Sequence, residues 1–186
     1  IRSESIKTKT TTAFQSSNGF HLKSCPQCAK PLKLIDIGGK DRLACLEPAC
    51  DFVNWDNPKP VTATLVTTEA GLVLVKRKFE PFVDDWCLPG GFIEATEHPA
   101  ESAAREVLEE TGLHVEVQKL VGASAPGRGI NVVILFYLAK AIKGDLIAGD
   151  DASDVGAFQR DQLPKNICFE LHRQMIDRYF SENGSF

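Results

Sequence analysis

No apolar run in these 186 residues approaches the roughly 20 that a membrane-spanning helix needs. The longest, from Val132 to Ala139, has the length of one buried strand. An excess of positive charge is also missing: 21 basic residues stand against 25 acidic ones, for a net charge of −4 at pH 7. That balance argues against a nucleic-acid scaffold held by bulk charge. No secretory leader, internal repeat or low-complexity tract is visible, so the six cysteines read as thiols or metal ligands rather than disulfides. What remains is the expectation of a cytoplasmic chain, without membrane or nucleic-acid partners, long enough for one good core and a small module.

The small module is announced by cysteine. Cys25-Pro26-Gln27-Cys28 is followed by Cys45 and Cys50, two pairs of soft ligands suited to tetrahedral Zn²⁺. Between the pairs, 32–37 and 40–45 read as two short strands turning at Gly38-Gly39. With four cysteines no coordination position stays open, so the expected role is structural. Cys87 and Cys168 stand alone in apolar company and read as buried filler. The organisation predicted is an N-terminal arm over 1–20, rich in Ser and Thr and without an initiator Met, a zinc ribbon over 21–54, a proline-rich linker over 55–60 and a second domain over 61–186.

In that second domain 61–67 and 72–78 read as a hairpin, followed by strands at 85–88, 115–121, 132–139 and 155–160. Helices are expected at 98–111, with Pro99 in its first turn and Gly112 just past its end, and at 167–180. His98 is the expected N-cap, a structural use of its imidazole. On the first helix Glu106, Glu109 and Glu110 share one edge, because positions i, i+3 and i+4 lie on one face. Like charges repel, and no Lys follows within the helix to pair with them. Hard divalent cations such as Mg²⁺ bind carboxylate oxygens and bridge them to phosphates, which makes this edge a candidate metal site.

Gly91, Glu97, Arg105, Glu106, Glu109, Glu110 and Gly112, with apolar Val107 and Leu113, fill every position of the pattern Gly-x5-Glu-x7-Arg-Glu-U-x-Glu-Glu-x-Gly-U, where U is aliphatic. This is the Nudix box, and the chain resembles Nudix hydrolases that carry an N-terminal zinc ribbon. The resemblance implies an α+β fold, an αβα sandwich with a mixed sheet, and hydrolysis of a nucleoside diphosphate linked to another moiety using Mg²⁺ or Mn²⁺. It also implies a metal ligand at Gly91, a supporting Glu97, an Arg105 that orients the glutamates, and a homodimer. Ribbon-bearing relatives include enzymes for NADH, but their Ser-Gln-Pro-Trp-Pro-Phe-Pro signature is absent, and the stretch from Ala125 to Lys140 looks like that of relatives assigned to ADP-ribose or FAD. The expected products are AMP and a phosphorylated partner. NAD(H) cleavage, nucleotide sanitation and a non-catalytic ligand sensor are the alternatives, and intact box glutamates favour an enzyme over the sensor.

Glu110 or a carboxylate among Asp150, Asp151 and Asp154 is the expected general base, with Asp154 chosen from the three by the same resemblance. Candidate phosphate contacts are Arg77, Lys76 and, on the later loop, Arg128. Phe79, Phe82 and Trp86 are candidates to stack on a base, against the plainer reading of each as packing.

Overall fold

A computed structural model describes residues 22–127, 130–149, 151–182 and 184. The expected arm, Arg128 and Asp150 lie outside the described residues. The described chain forms two compact units, one of residues 22–58 with 127 and 130–131, the other of the remainder from Lys59 onward.

In the first unit β1 (Leu32–Ile37) and β2 (Lys40–Cys45) pair antiparallel, from Leu32 opposite Cys45 to Ile37 opposite Lys40. The turn needs positive φ twice in succession, and Gly38 and Gly39 supply it at 61° and 77°. The unit's apolar cluster is Cys25, Cys45 and Cys50, with Cys28, Leu32 and Phe52 packed against them.

In the second unit the strands are β3 (Lys59–Thr68), β4 (Gly71–Arg77), β5 (Trp86–Cys87), β6 (His114–Ser124), β7 (Val132–Lys143) and β8 (Ala152–Phe158). They form a six-stranded sheet in the order β5-β4-β3-β7-β6, with β8 added along β4. β3 runs parallel to β7 and antiparallel to β4, so the sheet is mixed. Helices α1 (Pro99–Thr111) and α2 (Glu170–Ser181) cover opposite faces. Strand alternation explains this. Ala63 and Leu65 on β3, Leu72 and Leu74 on β4, and Phe136 on β7 pack with Ile176 of α2. Their neighbours Val66 and Val73 turn the other way and pack with Val107 of α1. The result is the expected αβα sandwich.

Some boundaries differ from the sequence expectations. Lys59 and Pro60, assigned to the linker, are the first residues of β3, paired with Val132 and Val133. α2 starts at Glu170 rather than Ile167, because Ile167 bridges Trp86 in parallel and Phe169 has a φ of 61° that a helix does not allow. β8 begins at Ala152 and ends at Phe158, shifted toward the N-terminus from 155–160.

Candidate active site

Caps at both ends fix the register of α1. His98 Nδ1 accepts from the Ala100 N–H at 3.2 Å, and Glu101 reaches back to the His98 N–H at 3.1 Å. At the other end Gly112 takes the left-handed conformation with φ 73° and donates to Leu108 O at 3.0 Å. Ser102, Ala103, Val107 and Thr111 form the buried stripe, which leaves the carboxylates on the flanking edge.

The three box carboxylates are not equivalent. Glu110 accepts from the Gly90 N–H at 2.9 Å. Burial pushes its pKa up to about 8, helped by the charges of Glu106 and Asp151 and opposed by the Gly90 N–H and Arg77. Burial also raises Glu106, against the pull of Arg105. Glu109 is 58 % exposed and turned toward Arg105.

Arg105 is the hub of this edge. It pairs with Glu97 through Nε at 2.8 Å and Nη2 at 3.0 Å, and with Glu106 and Glu109 through Nη1 at 2.8 and 3.0 Å. Glu97, held chiefly by that guanidinium, is lowered to about 2. Arg105, four residues before Glu109, therefore supplies part of the positive charge that this acidic edge needs. Among the described residues Glu110 alone of the three has no ion-pair partner. Nor do the three carboxylates gather on one point: among the described residues only the four cysteines form a group of three or more side chains close enough to share one ion.

The glycine turn before α1 lies flat against β3. Thr64 and Thr62 donate to the carbonyls of Pro89 and Gly91, each at 2.8 Å. The carbonyl of Gly91, the expected metal ligand, is thus engaged with β3, whereas that of Gly90 has no partner among the described residues. Backbone proximity excludes a side chain at Gly90, and one at Gly91 would displace the Glu106 carboxylate. A Cβ on Gly90 would stand 2.0 Å from Thr62 O, and one on Gly91 would stand 2.5 Å from the Glu106 carboxylate.

Above this turn opens a cleft of about 450 Å³, with Gly90, Gly91, Glu106 and Glu110 in its floor. Arg77 lines it, donating to Pro81 O at 2.7 Å and Phe79 O at 3.3 Å and lying 5.3 Å from the centre of the Phe169 ring. Among the described residues its remaining N–H groups have no protein acceptor. Phe79, Phe92 and Asp151 also line the cleft.

Several sequence candidates are placed elsewhere. Asp154 pairs across from Lys76, and its carboxylate accepts from the Val155 N–H at 2.9 Å. Val155 packs with the α1-side cluster, so alternation turns Asp154 to the other face, and Asp151 is the late carboxylate in the cleft. Lys76 pairs with Asp84 at 3.3 Å outside the cleft. Trp86 stacks edge-on against Phe158 at 5.0 Å as part of the α2-side core. Phe82 meets Phe169 edge-on at 5.3 Å but does not line the cleft. Trp86 is thus packed against the core, whereas Phe82 stays about half exposed.

Phe92, Phe169 and His172 line the cleft and were missed. Phe92 lay inside the quoted box, but the other two come from a segment about 80 residues beyond the turn. His172 Nδ1 accepts from the Leu88 N–H at 3.3 Å. Burial, with Arg77 adding, lowers its pKa from 6.5 to about 4. Below pH 6.5 the unfolded chain gains a proton that the folded chain refuses, so stability should fall as pH drops from 6.5 toward 4, by up to roughly 3 kcal/mol. The other groups lining the cleft are common to both proteins, so the difference between wild type and His172→Asn isolates the histidine. Denaturant unfolding across that window should show a flatter profile for the variant, and equal slopes would contradict the assignment.

In the first unit the four cysteines are free of disulfides and their sulfurs lie within 4.8 Å of one another. The Cys25–Cys50 and Cys28–Cys45 Sγ separations are 3.6 and 3.4 Å. Tetrahedral Zn–S bonds imply about 3.8 Å between sulfurs, so the donor set fits one such ion.

A mixed sheet between two helices, with a capped acidic helix against a glycine turn, makes an αβα sandwich with a carboxylate-lined cleft. Residues 57–179 match the NUDIX domain model, and the chain belongs to the Nudix family. It is a Nudix hydrolase. It is 36% identical over 132 residues to the ADP-ribose pyrophosphatase of Methanocaldococcus jannaschii, covering 69% of this chain and 77% of that protein. The crystal structure of a NUDIX hydrolase from Nitrosomonas europaea is similar with a TM-score of 0.79 and 31% identity, over 87% of this chain and 92% of that one. That of an ADP-ribose pyrophosphatase from Streptococcus suis gives a TM-score of 0.50 and 27% identity, over 58% and 78%. No helix among the described residues is long and apolar enough to cross a membrane.

Proposed function

We propose that the cleft hydrolyses the pyrophosphate bond of a nucleoside diphosphate linked to another moiety, with ADP-ribose ahead of FAD, releasing AMP and a phosphorylated product with Mg²⁺ or Mn²⁺. The observation that carries this reading is Glu110, a mostly buried carboxylate without an ion-pair partner, in the floor of a cleft that Arg77 lines. The donor set fits a hard divalent cation, because Glu106 and Glu110 both offer carboxylate oxygens to the cleft and the charge of Glu106 raises the pKa of Glu110. The Gly90 carbonyl is the backbone donor in this set in place of Gly91, and Glu109 joins when its side chain leaves Arg105. When bound, such an ion supplies charge neutralisation for the pyrophosphate and acidifies a water.

The protein's own groups do the rest. Arg77 offers its unused N–H groups to a phosphate oxygen. Arg105 and Glu97 hold the carboxylate edge in place. Asp151, in place of Asp154, accepts the proton of the attacking water at a carboxylate oxygen. Phe79 and Phe92, about half exposed at the cleft, offer faces to a base. In the first unit Cys25, Cys28, Cys45 and Cys50 hold one structural Zn²⁺.

The preference for ADP-ribose draws support from the two relatives whose names carry that activity. A panel of ADP-ribose, FAD, NADH, diadenosine polyphosphates and oxidised nucleoside triphosphates, read by AMP release, tests it. ADP-ribose should give the highest kcat/KM. A clear preference for NADH or an oxidised triphosphate would overturn the substrate assignment.

A further inference from the structure

The segment Leu88-Pro89-Gly90-Gly91 is gripped along both edges. One edge gives the carbonyls of Pro89 and Gly91 to β3. From the other, the Leu88 N–H goes to His172 Nδ1 on α2, and the Gly90 N–H goes to Glu110 on α1. Two helices on opposite faces of the sheet thus hold alternate amides of one strand exit. Glu110 belongs to the box, whereas His172 has no part in the reaction described above.

His172 is 8 % exposed, and its ring is set between Phe136, 5.7 Å away and edge-on, and Phe169, 5.1 Å away. Because Nδ1 accepts from Leu88, the ring proton resides on Nε2. Among the described residues Nε2 has no protein partner, and it is not one of the closed-off polar atoms there, which are Arg42 Nε, Thr62 Oγ1 and Thr64 Oγ1. His172 itself lines the cleft. A neutral N–H donor beside an aromatic ring is suited to an uncharged acceptor, while Arg77 serves the phosphates.

We infer that His172 uses both ring nitrogens, Nδ1 to position the glycine turn through Leu88 and Nε2–H to donate to an uncharged oxygen or ring nitrogen on the sugar or base of the substrate. The second half rests on the proposed function, since it takes the cleft to be the substrate site. The first half stands on the fold alone.

Two variants separate the roles. Asparagine places an acceptor where Nδ1 is and nothing where Nε2 is; glutamine does the reverse. His172→Asn should keep the Leu88 amide protected from exchange and kcat within about twofold, while KM for ADP-ribose rises about tenfold. His172→Gln should keep KM within about twofold, lower kcat about tenfold and speed Leu88 amide exchange in the free protein. Parallel changes of kcat and KM in the two variants, or unchanged Leu88 exchange in His172→Gln, would overturn the inference. If wild type cleaves nothing in the panel the proposed function fails, and the Leu88 exchange measurement still decides the positioning role.

Discussion

Glu110→Gln should lower turnover of ADP-ribose by at least about a thousandfold while the melting temperature stays level or rises. Both halves follow from one environment. The carboxylate is mostly buried and, among the described residues, carries a single hydrogen bond from the Gly90 N–H and has no ion-pair partner, so its charge is unfavourable for the fold alone. Glutamine keeps an oxygen for the Gly90 N–H and removes that charge, so the turn stays in place. What it cannot offer is an anionic oxygen to a divalent cation. Glu109→Gln should cost less, because Glu109 is exposed and tied to Arg105. Steady-state kinetics and calorimetry on the two variants check this. Equal, near-wild-type turnover in both would remove the box edge from the chemistry, whereas loss of activity with loss of fold would show Glu110 to be a structural residue.

The second large effect is expected in the first unit. Cys25→Ser, or chelation at neutral pH, should release one zinc per chain and abolish amide protection across β1 and β2. The unit's apolar cluster consists of its cysteines with Leu32 and Phe52, far too little to offset the entropy of ordering the chain. Structural zinc is worth on the order of 10 kcal/mol in such modules, so the ion supplies most of the folding free energy. The sheet from β3 onward has its own core clusters and should keep its protection. Metal analysis with hydrogen exchange reads both. Retained protection of β1 and β2 in a zinc-free protein would refute the staple.

What could be read in advance was local chemistry. His98, Pro99 and Gly112 are helix punctuation, and α1 runs between them as expected. The Gly38-Gly39 turn likewise fixes the register of β1 on β2. Long-range pairing was hidden. Nothing in 150–160 reveals that β8 lies along β4 in a register that turns Asp154 away and leaves Asp151 at the cleft. Trp86 is a candidate for stacking or for packing by sequence alone, and only the long-range fold shows it packed on the α2-side core. Phe169 and His172 meet the turn only because Ile167 bridges Trp86, a contact between segments about 80 residues apart. Arg105 was visible, but its simultaneous grip on Glu97, Glu106 and Glu109 depends on how the loop after the glycine turn folds back.

The most direct test of the account is phosphorus NMR of ADP-ribose incubated with the wild-type protein, with Mg²⁺ and then with a chelator. The two diphosphate resonances should be replaced by two phosphomonoester resonances, those of AMP and ribose 5-phosphate, only while Mg²⁺ is present. An intact diphosphate that nonetheless binds would make the cleft a sensor, and cleavage that survives the chelator would contradict a metal held by Glu106 and Glu110.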